Sequence, residues 1–148
     1  MKNTFRIIIA SIAVLAASAL VARAEVGAVN FLSAGTVTND TTRTTGFTDV
    51  KIENQSVVGL QVNMAGSQAG TGNVILTLAR SKDGLTFETT PRFTVTNALN
   101  GTTAVIGYAD ISEQAQSAHS LRLISAQNAD ASASATNVTI SVVLKRTR

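Results

Sequence analysis

The chain has 148 residues, no cysteine, one histidine and a formal net charge of +3. The lack of cysteine excludes a disulfide scaffold and any thiolate nucleophile, so core packing must supply the stability. A lone histidine, His119, argues against zinc, which draws on several His, Cys or carboxylate ligands.

At the start of the chain, Lys2 and Arg6 precede an apolar run from Ile7 to Val21 broken only by small Ser and Ala. Ala22-Arg23-Ala24 then offers the small-x-small pattern of a signal-peptidase site. The run is shorter than the ~20 apolar residues that span a bilayer. We expect residues 1–24 to be a signal peptide cleaved after Ala24. Residues 25–148 then form a single secreted domain, periplasmic, cell-surface or extracellular, with no stable membrane span. Removing Lys2, Arg6 and Arg23 from the twelve basic residues leaves nine against nine acids. The positive balance therefore belongs to the leader and gives no ground for a nucleic-acid partner. Only Lys145 to Arg148 is locally basic, as a solvated tail is.

Val26 to Phe31 suits a first strand or an extended arm, and Thr-dense Ser33 to Thr48 an exposed edge strand with loops. Val50 to Glu53 alternates as a strand. Val58, Leu60, Val62 and Met64 alternate with Gly59, Gln61 and Asn63, the period of a strand with one buried face. Val74, Leu76 and Leu78 repeat the pattern, and Leu85 and Phe87 do so past Asp83-Gly84. Ser56 to Thr90 is thus expected to hold three consecutive antiparallel strands. A loop of Ser81 to Gly84 pairs Leu78 with Phe87 and gathers the apolar residues on one face, with Gly84 in the left-handed conformation of its turn. Ala65 to Gly72, with three glycines, reads as a mobile loop. Ser81 to Phe87 is similar to the Asp-box turn of sialidase-type propellers. It is one residue short and occurs once, whereas propellers need several copies, so a hairpin is expected.

Pro91 marks an edge or a corner, because it cannot donate to a ladder. Phe93 and Val95 continue on one face, Asn97 to Gly101 turns, and Thr102 to Tyr108 forms another strand. Asp110 to Glu113 has capping-box spacing, consistent with one helical turn over 111–117. Leu121 to Ala126 is a strand apolar on both faces near its centre, Asn128 to Ala135 a small-residue loop, and Val138, Ile140, Val142 and Leu144 the most regular alternation. The sum is an all-β chain of about eight to ten strands at even spacing, with at most that one short helical turn. Such a pattern predicts an antiparallel β-sandwich, with a jelly roll as its expected winding.

Chemistry is sparse. No Gly-x-Ser-x-Gly elbow accompanies His119, and no spacing singles out a carboxylate pair for glycoside hydrolysis, so no catalytic residue and no enzymatic activity is expected. Calcium is the metal the loops come nearest to, through Asp83, Asp40 beside Asn39, and Asn128 with Asp130. None of these matches a known calcium pattern, so no metal and no cofactor is expected. The sequons at Asn39, Asn54, Asn100 and Asn137 would matter only in a eukaryotic secretory route.

The expected function is an exported structural or adhesive β-domain, whose Val26–Phe31 arm can assemble copies by strand addition. The alternative is a secreted module that binds a glycan or another small ligand through the Ala65–Gly72 and Asn97–Gly101 loops. Its candidate contacts are Ser67, Gln68, Thr71, Asn97, Asn100 and Tyr108, the last being the one aromatic not expected in the core.

Overall fold

The computed structural model describes residues 26–52, 55–90 and 93–146. The expected signal peptide, Pro91 and the end of the basic tail lie outside them. The described residues form nine strands: β1 (Val26–Val37), β2 (Thr41–Arg43), β3 (Val50–Lys51), β4 (Gln55–Gly66), β5 (Asn73–Ser81), β6 (Phe93–Ala98), β7 (Val105–Ala109), β8 (Ser120–Asn128) and β9 (Ala135–Arg146).

They make two antiparallel sheets packed as a sandwich. One has the order β1-β9-β4-β7; the other has the order β2-β8-β5-β6, with β3 also paired to β8. β2 and β3 lie against opposite ends of β8, as one strand interrupted between Arg43 and Val50. The pairing is nested: β1 with β9, β2 with β8, β4 with β7 and β5 with β6. That is a long hairpin rolled over on itself, the winding of a jelly roll.

Alternation explains which face each strand buries. Val138, Ile140 and Val142 of β9 meet Leu60, Val62 and Met64 of β4 in one inner face, and Val74, Leu76, Leu78, Leu121 and Leu123 supply the other; all are at most 2 % exposed. Burying each such side chain contributes about 1.5–3 kcal/mol relative to leaving it in water. Between Ile111 and Ala118 the backbone closes a single turn, with the Ala115 N–H donating to the Ile111 carbonyl at 2.9 Å, and it does not continue as a helix.

Three local expectations are corrected. Val58 is half-buried while Val57 joins the core, because β4 bulges: Val57 stands opposite Leu144 and Gly59 opposite Val143, leaving Val58 as an extra residue that resets the alternation. A similar irregularity at Ile124 of β8 accounts for its apolar residues on both faces. Second, Ser56 to Thr90 is not three paired strands. β4 and β5 lie in different sheets, Leu78 pairs with Phe93 of β6 rather than Phe87, and Leu85 is 87 % exposed. The turn closes on a side chain instead. Asp83 Oδ1 accepts the Leu85 and Thr86 N–H groups at 2.9 and 2.7 Å and the Ser81 hydroxyl at 2.8 Å. Gly84 does adopt the left-handed conformation, with φ of 76°.

The third correction concerns Ala65 to Gly72. Its backbone is held at both ends, by Gly66 N–H to Gly101 O at 2.8 Å and Gly72 N–H to Asp130 Oδ2 at 2.7 Å. Its glycines serve close approach rather than mobility. A side chain on Gly66 would strike the Gly101 carbonyl, and one on Gly70 or Gly72 would strike Asp130.

Candidate functional site

The loops after β4, β6 and β8 meet at one end of the sandwich, and Asp130 organises them. Its carboxylate accepts N–H groups from Gly72 (2.7 Å), Ser132 (2.8 Å) and Ala133 (2.8 Å), and the Ser132 hydroxyl (2.8 Å). Fully buried Asn128 braces the same loop, donating to the Val37 and Ala133 carbonyls and accepting the Asp130 N–H. The donors from Ala133, Ser132 and Gly72 favour the anion and hold the Asp130 carboxyl well below the usual carboxylate range. Asp83 is held low in the same way by Thr86, Leu85 and Ser81. Two of the three carboxylates named above for calcium, Asp83 and Asp130, thus point lone pairs at N–H and O–H donors rather than at a cation.

Of the six candidate contact residues, four share this end. Leu99 N–H donates to Gly72 O and Gly101 N–H to Gly70 O, each at 2.8 Å, so the Ala65–Gly72 and Asn97–Gly101 loops lie side by side. Thr71 and Asn100 are exposed there. Ser67 and Gln68 are exposed too, but they brace the neighbouring loop: Ser67 Oγ accepts the Ser134 N–H at 3.0 Å, and Gln68 Nε2 donates to Ser132 O at 2.8 Å. Asn97 sits apart on β6 with its carboxamide over Gly107 of β7 and its Nδ2 buried without a hydrogen-bond partner. Tyr108 is on the outer face of the four-stranded sheet.

The opposite end carries an open cleft of about 950 Å³ between the start of β4 and the 112–119 segment, lined by Gln55, Val57, Glu113, Gln116 and His119 among others. It gathers Glu113 and His119, whereas Asp83 and Asp110 lie outside its lining. The His119 ring packs over Gly84, and its Nδ1 lies 3.2 Å from Ser120 Oγ. Ser120 is 2 % exposed at the head of β8, so that hydroxyl is not presented to a substrate. Asp110 spends its Oδ1 on the Ser112 N–H at 2.9 Å, which lowers its pKa. The cleft therefore brings together one imidazole and one carboxylate, with the exposed hydroxyls of Ser56, Ser112 and Ser117 also in its lining.

On the outer face of the four-stranded sheet, Tyr108, Gln61, Ser141 and Asn30 stand in register across β7, β4, β9 and β1. Ile106, Asn63 and Thr139 form the next row. Tyr108 lies over Gly59, where any side chain would strike its ring, and its hydroxyl donates to Val58 O at 2.9 Å. Tyr108 was expected from the sequence as an exposed aromatic; the polar row beside it was not. Its signal was present in the outward-facing Gln61 and Asn63, but their neighbours come from β9 and β1, about 80 and 30 residues away in the chain.

Compared with known proteins, the chain matches no family model and no curated protein.

Proposed function

We propose that this chain is an exported, non-enzymatic structural or adhesive domain that assembles copies through the edges of its four-stranded sheet. One observation carries the proposal: the two edge strands of that sheet are uncharged, free of proline and antiparallel to each other. Natural edges are usually blunted by Lys, Pro, bulges or shortness. Neither β1 nor β7 holds a charge; β7 is five residues long, and β1 is 12 residues long and in continuous register over Val26–Asn30. β1 is antiparallel to β9, β9 to β4, and β4 to β7, so β7 of one copy can take β1 of the next and continue the antiparallel order. Apolar side chains border both edges: Val26 and Val29 on β1, Ile106 on β7. Such head-to-tail addition need not close, and it yields filaments. The leader pattern ending at Ala24 supports export, which places such assembly outside the cytoplasm.

The arm enters this proposal as an edge rather than as a donated strand, because Val26 to Asn30 pairs with Lys145 to Ser141 of its own β9. Deleting it would bare β9 and remove Phe31 and Leu32 from the core, so single lysines are the cleaner probe. The test is sedimentation and light scattering of the exported protein over a concentration series, alongside Val29→Lys and Ile106→Lys. Concentration-dependent growth in the parent, lost in both variants, is the expected result. A parent that stays monomeric throughout defeats the edge proposal. Intact mass separately tests export: the expected amino terminus is Glu25.

A further inference from the structure

We propose that the outer face of the four-stranded sheet is a binding platform for an extended, uncharged polysaccharide, with Tyr108 as its stacking ring. This goes beyond edge assembly and does not depend on it, since it uses side chains on the outer face rather than the backbone groups of the edge strands.

The ring is built to present one side. Gly59 leaves room for it to lie flat on β4, and the hydroxyl bond to Val58 O anchors its far end. The other side remains in solvent, with Tyr108 55 % exposed. A flat aromatic offers an electron-rich surface to the C–H groups on the face of a sugar ring. Because the side chain is already anchored, binding costs little of its rotamer freedom.

The rows beside the ring fit the rest of such a ligand. Gln61, Asn63 and Asn30 are carboxamides, each able to donate and to accept, which matches the paired demands of sugar hydroxyls. Inner-face neighbours Leu60, Val62, Ile140 and Val142 are buried, which fixes Gln61 and Asn63 on the outward side, while Ser141, 7 % exposed, lies beneath its neighbours in the row. Ser141 Oγ donates to Asn30 Oδ1 at 2.8 Å and holds that amide in the row. Neither row contains a charged residue, so a phosphate, uronate or nucleic acid finds no counter-charge here, while a neutral chain loses nothing. Strands stand about 4.8 Å apart along the row, close to the advance per sugar of an extended β-linked chain.

The sequence supplies its own reporter, because Tyr108 is the one tyrosine and there is no tryptophan. The purified protein is titrated with cellohexaose, mannohexaose and chitohexaose, followed by calorimetry and by tyrosine emission. We expect saturable binding of at least one hexasaccharide with a change in emission. Tyr108→Ala should weaken it about tenfold, the factor one aromatic contact carries. Tyr108→Phe should retain it, and Gln61→Ala should weaken it without lowering the melting temperature. The same titration on Val29→Lys, whose substitution is off this face, should give the same affinity whether or not copies assemble. Silence toward all three sugars overturns the platform, as does binding that leaves both tyrosine emission and the affinity of Tyr108→Ala unchanged.

Discussion

The Asp130 carboxylate accepts the Gly72 N–H at 2.7 Å, and through this bond the β8–β9 loop holds the β4–β5 loop across 58 residues of chain. Each of these loops crosses from one sheet to the other, so the bond joins two crossovers at one end of the sandwich. Removing the carboxylate leaves the Gly72, Ser132 and Ala133 N–H groups without their acceptor. Asp130→Ala is expected to lower the melting temperature by several degrees, and far more than Asp40→Ala does. Equal melting of the two variants would remove Asp130 from its organising role.

The same carboxylates set the response to acid. Asp130, Asp83 and Asp110 all have lowered pKa values in the fold, through N–H donors led by Ala133, Thr86 and Ser112 respectively. In the unfolded chain each takes up a proton near the ordinary value of about 3.9. Their stabilisation is therefore complete above that value and is lost as pH falls below it toward the folded pKa. Denaturant titrations should show stability level from neutrality to about pH 5 and falling below about pH 4. Asp130→Asn, which cannot titrate there, should show a shallower acid slope; parallel slopes would contradict the assignment.

Gly72 is expected to tolerate no side chain. A Cβ there would lie 2.5 Å from Asp130 Cβ and 2.6 Å from its Cα, against backbone that cannot swing aside. Gly72→Ala should cost about 1–3 kcal/mol, the usual range for overpacking. Gly27→Ala is the control, with nothing within 4 Å of its new methyl. Chemical denaturation of the pair decides the matter.

Gly84 has two reasons to be glycine. Its φ is 76°, and a Cβ would come 2.5 Å from His119 Nδ1. The backbone term alone costs a branched residue about 1–2 kcal/mol. Gly84→Val should melt below the parent, with Gly84→Asn in between because Asn tolerates the left-handed region better. No loss in Gly84→Val would mean the turn is built differently.

Arg122 links Asp49 to Phe87. Its Nε and Nη2 donate to the two Asp49 oxygens at 2.8 and 2.7 Å, and its guanidinium lies 3.9 Å from the Phe87 ring centre. Asp49 holds the Arg122 pKa above its ordinary value. Both charged side chains are around two-fifths exposed, at 44 % and 41 %, so solvent screens the pair. Arg122→Ala should therefore cost only about 1 kcal/mol, and less in high salt. A double-mutant cycle with Phe87→Ala should return a coupling of about 0.5–1 kcal/mol. A cycle that closes to zero would reduce the ring contact to simple proximity.

Strand periodicity was legible wherever one strand kept a single phase. β9 is the clear example: Val138, Ile140, Val142 and Leu144 all face inward as their spacing requires. The phase slips where a bulge intervenes, and at Val58 and Ile124 the extra residue shows only in the register against the partner strand. Phe87 misled for a related reason. Its spacing from Leu85 satisfies a strand, yet Asp83 captures the backbone amides that a ladder to β5 would need. The Ala65–Gly72 loop was misjudged because glycine permits both mobility and close contact, and composition does not separate the two.

Side-chain alternation and leader chemistry are local properties, so residues alone pointed to an all-β chain and to an amino-terminal export pattern. The nested pairing of β1 with β9 and β4 with β7, the anchoring of loops by Asp130, and the row that joins Tyr108 to Asn30 are relations between distant segments. They arise only when two sheets close over one core and must satisfy every buried amide at their ends. That closure sets Tyr108 at the end of a row that crosses three other strands, and no pattern within Val105–Ala109 could have done so.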